Sequence, residues 1–312
     1  MSARTISILV AVIGVVAVTG ATCFLPASSA VAPLQVEAPR QQFNICLLLD
    51  LSNRIDPALA PVQAEKDRKI ITAVADQFGD LVRHKLFINS RDILRVAVAP
   101  QKTGYDATLT RVSDAMTIDL REVKIAEKRS AFPKLRQEFL NGTAELYQAA
   151  VANPSFNGSD IWSFVRDDLA AYRVTGTSAE PVRNVLIIVT DGYLTFANQE
   201  RRPKSGHRTS YMSVNRFRKT GWEDEFSSGD YGLMSEGLKA AGWEVLLLEV
   251  TPRRTEDLPV LRRYWSQWFE ELGVTNYRIE RSQDSAKLTQ GIIAEFLRQP
   301  DKQKVPTPAI PR

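Results

Sequence analysis

Three short runs of apolar residues dominate the hydropathy pattern: residues 43–51 (FNICLLLDL), 182–190 (VRNVLIIVT) and 243–250 (WEVLLLEV). Apolar runs that do not alternate with polar residues mark strands covered on both faces of a parallel sheet. Residues 93–99, rich in β-branched side chains, read as a fourth strand, with shorter ones at 85–89 and 277–280. Helical spacing appears between them. Ile70, Ile71, Val74 and Phe78 form a stripe within 62–78, and Leu135, Phe139, Leu146 and Ala149 form another within 132–152. Further helices are expected at 161–172 with Ser159 as N-cap, at 231–241 stopped by Gly242, at 258–272 and at 286–297. Buried strands alternating with amphipathic helices predict an α/β fold: a doubly wound, mostly parallel central sheet with helices on both faces.

The two ends of the chain fall outside this pattern. Residues 1–30 carry Arg4, an apolar run at 8–18 and the small residues Ala27-Ser28-Ser29-Ala30, the order of a signal peptide cleaved after Ala30. A membrane span takes about 20 apolar residues, so 6–21 is also read as an uncleaved anchor in the inner membrane. Either way the following domain is expected to be periplasmic or otherwise extracytoplasmic. Residues 31–42 read as a linker, 43–298 as the domain, and 299–312, Pro-rich and charged, as a disordered tail.

Composition adds bounds. With 44% hydrophobic and 24% charged residues, the 312-residue chain is neither collagen-like, disordered nor a polytopic membrane protein. The net charge of +4 falls to +3 without Arg4, too mild to indicate nucleic acid as a partner. Loss of the leader also removes Cys23. Cys46 then remains as a lone thiol in a strand, read as a small core residue.

In open α/β sheets, ligands bind at the carboxyl ends of the strands, near the point where the strand order reverses. Three distant segments place oxygen donors there: Asp50-Leu51-Ser52, Ser159-Asp160 at a helix start, and Thr190-Asp191-Gly192. Residues two apart in an extended segment point the same way, which groups Asp50 with Ser52. Carboxylates and hydroxyls without His or Cys suit a hard divalent cation, Mg²⁺ or Mn²⁺. Asp160 is an additional candidate ligand or a helix-terminal acid.

These residues resemble the von Willebrand factor A family and its metal-ion-dependent adhesion site. The family's Asp-x-Ser-x-Ser motif is matched by Asp50 and Ser52, its Thr by Ser159, and its Asp after a hydrophobic strand by Asp191 within Ile-Ile-Val-Thr-Asp-Gly. The third position of the first motif departs from the pattern. Arg54 stands there, and a guanidinium has donors only and cannot ligate a cation. Pointed inward, Arg54 repels the metal or neutralises Asp50 and Asp191; pointed outward, it leaves the four oxygens free.

The resemblance implies a non-enzymatic, extracytoplasmic module in which a cation at Asp50, Ser52, Ser159 and Asp191 engages an acidic group of a protein partner. Two other classes stay open: a metal-independent envelope scaffold with a dead site, and a metal-dependent phosphohydrolase. Against the hydrolase, the chain has no Gly-x-Ser-x-Gly elbow and no phosphate-binding loop with Lys. A long insertion loop at about 193–230 follows Asp191. It is basic from Arg201 to Lys219, acidic from Glu223 to Asp230, and interleaved with aromatics. It is expected to be a lid or partner surface, or a solvated loop with internally paired charges.

Overall fold

The computed structural model describes residues 41–101, 106–152, 159–195 and 206–299. The leader or anchor at 1–30, most of the linker and the tail beyond Gln299 lie outside the described residues. In chain order the first half contains β1 (Gln42–Leu49), α1 (Gln63–His84), β2 (Ile93–Val98), α2 (Ala107–Ala115), β3 (Thr117–Asp119), α3 (Lys128–Ala152) and α4 (Ile161–Asp167). The second half contains β4 (Val182–Val189), β5 (His207–Thr209), α5 (Trp222–Ser228), β6 (Tyr231–Leu233), β7 (Trp243–Val250), α6 (Asp257–Glu271), β8 (Asn276–Arg281) and α7 (Ala286–Arg298).

Six strands form one sheet in the order β3-β2-β1-β4-β7-β8, parallel throughout except for the short edge strand β3, which runs antiparallel to β2. The chain winds from β1 toward β2 on one side and from β4 toward β7 on the other, so the order reverses between β1 and β4. Both of these strands are apolar without a break over their C-terminal halves, Ile45 to Leu49 and Val185 to Val189, because both sheet faces are covered there. Ile45, Leu47 and Leu49 pack with residues of α1, α2, α3 and α7, while Cys46 and Leu48 pack with residues of α4 and α6. Cys46 is fully buried, and that burial pushes its thiol up to about 12 despite the opposing charge of Arg95, so it is inert core.

Several expectations are corrected. Residues 85–89 form a turn, not a strand: Leu86 (φ 55°) and Phe87 (φ 62°) are left-handed, and the Phe87 amide donates back to the Val82 carbonyl at 3.1 Å. The turn is held by Phe87, whose ring lies 5.8 Å from that of Phe132. The expected helix 231–241 is strand β6 followed by turns. Gly232 (φ 149°) and Gly237 (φ 78°) interrupt helical geometry. The indoles of Trp162 and Trp268 donate to the Met234 carbonyl at 2.8 and 3.1 Å, which fixes this irregular path. The helix expected over 161–172 ends at Asp167, with a 3-10 turn at Leu169–Tyr172. Helix α2 and strand β3 went unread in the sequence.

The insertion after Asp191 is also more ordered than a loop. Its described part pairs β5 with β6 in a small parallel sheet and adds α5. Phe217 and Phe226 lie 5.1 Å apart, each against Tyr231, and Phe226 lies 4.9 Å from Tyr264 of α6. Its charges pair across the layer, Arg208 with Asp230 and Glu271, and Arg216 with Glu225, each at 2.8 Å. Phe196, Arg201, Arg202 and Lys204 lie outside the described residues. Phe226 is fully buried. Phe226→Ala is therefore expected to lower unfolding stability by about 3–5 kcal/mol in denaturant titration. A loss under about 1 kcal/mol would mean that the layer is not packed on the sheet.

Candidate functional site

Parallel pairing brings the predicted oxygens to one end of the sheet. Leu49 registers with Val189, and the Asp50 amide donates to the Val189 carbonyl at 3.1 Å, so Asp50 and Thr190 leave adjacent strands side by side. The third segment joins from the β2 side: Ala99 donates to the Leu49 carbonyl (3.1 Å) and Asp160 to the Pro100 carbonyl (2.7 Å). Asp50, Ser52 and Asp191 therefore follow the ends of β1 and β4, between which the strand order reverses, and Ser159 lies next to the end of β2.

Hydrogen bonds aim both carboxylates. Asp50 accepts from the Ser52 amide at 3.0 Å and from the Thr190 hydroxyl at 2.7 Å. Thr190 was not singled out for a role of its own, and its place within Thr-Asp-Gly was the available signal. Asp191 accepts from the Tyr193 amide at 3.0 Å, and the intervening Gly192 takes φ 93°, the left-handed conformation that this tight turn needs.

The N-cap expected of Ser159 is Asp160 instead, in keeping with its reading as a helix-terminal acid. Asp160 is the N-cap of α4, accepting from the Ser163 amide at 2.9 Å, and its second oxygen takes the Ser163 hydroxyl. Asp160 is thus the capping residue of α4. Ser159 does not cap. Its hydroxyl oxygen is buried with no hydrogen-bond partner. Leaving a buried hydroxyl unpaired costs about 1–3 kcal/mol, so an orphan in this position calls for a ligand.

Arg54 points neither into the crevice nor out to solvent. Its side chain is 4% exposed and makes a two-pronged bond to the fully buried Asp67 of α1, at 2.6 and 3.0 Å. Burial works against its charge, but Asp67 overcomes this and raises its pKa further. Arg54 also donates to the Asp50 backbone carbonyl at 3.2 Å, tying the first motif to α1. Asp67 takes further bonds from Tyr147 (2.9 Å) and Gln63 (2.8 Å). The signal for Asp67 was an acid on the same helical stripe as Ile70, Ile71, Val74 and Phe78.

A second ion pair lies beside it. The β7 strand shifts register between Leu247 and Val250, and Glu249 takes φ 70°. The shift turns Glu249 toward α1, where it meets Lys66 at 2.8 Å and accepts from Ser282 at 2.9 Å.

With Arg54 bound to Asp67, the crevice carboxylates lack a cation of their own. Burial, and then the charge of Asp50, push Asp191 up to about 6, against the pull of the Tyr193 amide, Arg54 and Arg253. Among the described residues the nearest cation to Asp191, Arg253, stands 3.9 Å away and is 56% exposed. Among the described residues no three His, Cys, Asp or Glu side chains form a metal-type cluster. The strand-end set differs from such a cluster in drawing half of its oxygens from serine hydroxyls. Its all-oxygen chemistry, the orphaned Ser159 hydroxyl and the negative excess fit a hard cation.

No family model matches the chain, and no curated protein matches it. Among solved structures it is similar to the pilus adhesin SpaC from Lactobacillus rhamnosus GG, with a TM-score of 0.41 and 15% identity over 84% of this chain. The chain spans about 30% of the length of that adhesin. A likeness this weak carries no argument about function.

Two outcomes follow from the charges. Arg54→Met leaves Asp67 buried without its counter-ion and is expected to cost about 3–5 kcal/mol in denaturant titration, most of it recovered when Asp67→Leu is added. No recovery in the pair would show that the Arg54 tether to Asp50 matters more than charge balance. For Asp191, the folded-state pKa lies above the ordinary value of 3.8. Between the two values the folded chain holds a proton that the unfolded chain has lost, so its stability contribution falls as pH rises from about 4 to about 6. In metal-free buffer Asp191→Asn is expected to raise the melting temperature at pH 7 and to leave it unchanged at pH 3. A loss at pH 7 would contradict the charge balance described.

Proposed function

We propose that the chain is an extracytoplasmic protein-binding module of the von Willebrand factor A type, which engages an acidic group of its partner through a divalent cation. The unpartnered, buried Ser159 hydroxyl, in the segment that joins the strand ends carrying Asp50 and Asp191, carries this reading. Asp50, Ser52, Ser159 and Asp191 would hold Mg²⁺ or Mn²⁺. When bound, the ion supplies a Lewis-acidic position for a ligand carboxylate. The protein's own part is positional. Thr190 and the Ser52 amide orient Asp50, the Tyr193 amide orients Asp191, and Arg54 fastens the Asp50 segment to α1 without entering the site.

Arg54 makes no bond to the carboxylate oxygens of Asp50 and Asp191, because this guanidinium is held by Asp67; its charge reaches them only through space. The four strand-end oxygens leave room in the coordination shell of a Mg²⁺-type ion for water or a partner carboxylate. Placement outside the cytoplasm follows from reading residues 1–30 as a leader or anchor. The described residues contain no helix long and apolar enough to cross a membrane.

Millimolar Mg²⁺ or Mn²⁺ is expected to raise the melting temperature of the wild type, and Asp191→Ala to abolish the rise. An unchanged wild-type melting temperature sinks the cation reading and leaves a metal-independent scaffold. Turnover of a phosphoester panel that disappears in Asp50→Ala would instead make the chain a hydrolase.

A further inference from the structure

A cavity of about 270 Å³ opens against Tyr193, next to Asp191, with Ser213, Asn215, Arg216, Arg218 and Arg253 on its walls. Its three guanidinium groups are not equivalent. Arg218 is bonded twice to the buried Asp257, at 2.6 and 2.8 Å. Arg216 is bonded to Glu225 at 2.9 Å and lies over the ring of Tyr231. Among the described residues Arg253 has no carboxylate within hydrogen-bonding distance; the 3.9 Å approach to Asp191 is its nearest.

Arg253 is nevertheless held in place. Its guanidinium lies 4.5 Å over the Tyr193 ring, and its backbone amide donates to the Tyr193 hydroxyl at 2.8 Å. That hydroxyl in turn donates to Asp257, the residue that anchors Arg218. The platform is thus braced from β4 to α6. A guanidinium stacked on a phenol ring keeps its edge N–H groups free and presents them as a planar fork, the shape that bonds a carboxylate with two parallel hydrogen bonds. Asp191 and Asp50 stand close by, so a doubly charged phosphate would meet more repulsion here than a singly charged carboxylate.

We propose that Arg253, on its Tyr193 platform, docks a second carboxylate of the partner, so that the recognised segment is an acidic peptide with two neighbouring acids. This rests on the protein-binding reading above, one acid going to the strand-end cation and the other to Arg253. Two-point recognition makes a lone acid a poor ligand and gives the insertion layer, which walls the cavity, a part in specificity.

The test is fluorescence polarisation with a labelled hexa-aspartate peptide, and hexa-asparagine as the neutral control, in millimolar Mg²⁺ and in EDTA. Wild type is expected to bind hexa-aspartate in Mg²⁺, and Arg253→Gln to weaken it about tenfold or more. Arg253→Lys, which keeps the charge but loses the planar fork, is expected to recover only a minor part. Unchanged melting temperatures of both variants show that they are folded. Mg²⁺-dependent binding undiminished by Arg253→Gln overturns this inference and leaves the cation reading standing. Binding that survives EDTA and Asp191→Ala but is lost in Arg253→Gln keeps the subsite and removes the cation reading. No binding of hexa-aspartate by wild type, or displacement by inorganic phosphate at concentrations where acetate has no effect, overturns the carboxylate assignment.

Discussion

Parallel pairing of β1 with β4, unbroken from Gln42 opposite Val182 to Leu49 opposite Val189, is the constraint from which the site follows. Two strands that run the same way end at the same edge, and here each ends in an acid. The connections run from β1 to β2 and from β4 to β7, in opposite lateral directions, the arrangement at which open α/β sheets bind their ligands. The fold's own topology therefore forces Asp50 and Asp191 together in a partly desolvated place. Apolar packing on both faces of β1 and β4 supplies the free energy that holds the two charges there.

How the neighbourhood distributes its counter-charges then determines what the crevice can do. Arg54 is committed to Asp67, Lys66 to Glu249 and Arg218 to Asp257. Each pair neutralises a buried acid around the crevice, and none of these cations is bonded to the carboxylate oxygens of Asp50 or Asp191. The left-handed conformation of Glu249 is consistent with this economy. A register shift in β7 turns its carboxylate toward Lys66 and away from the opposite face, where the alternation would otherwise send it. What is left at the crevice is a pair of oriented carboxylates, an unbonded Ser159 hydroxyl and one distant guanidinium.

The strands were legible because burial on both faces writes itself as unbroken apolar runs. The strand-end acids were legible because that topology assigns them a place. The cap of α4 was assigned one residue early, to Ser159, since Ser and Asp are both good N-caps and only the start of α4 at Ile161 decides between them. The Arg54–Asp67 pair spans thirteen positions from a strand end to a helix face. Nothing local encodes such a contact except an acid on an otherwise apolar stripe. Apolar spacing in 231–241 imitates a helix, but the glycines at 232 and 237 and the two indoles on the Met234 carbonyl prevail. The insertion layer was hidden for a related reason: its core is an aromatic cluster shared with α6, built from residues far apart in the chain.

The central claim is that the charge left at the reversal point of the sheet is completed by a hard cation. Anomalous diffraction from crystals soaked in Mn²⁺ addresses it directly. A single strong peak is expected about 2.1 Å from oxygens of Asp50, Ser52, Ser159 and Asp191. A crevice without a peak at millimolar Mn²⁺, with the Arg253 guanidinium seated on Asp191 instead, would contradict it.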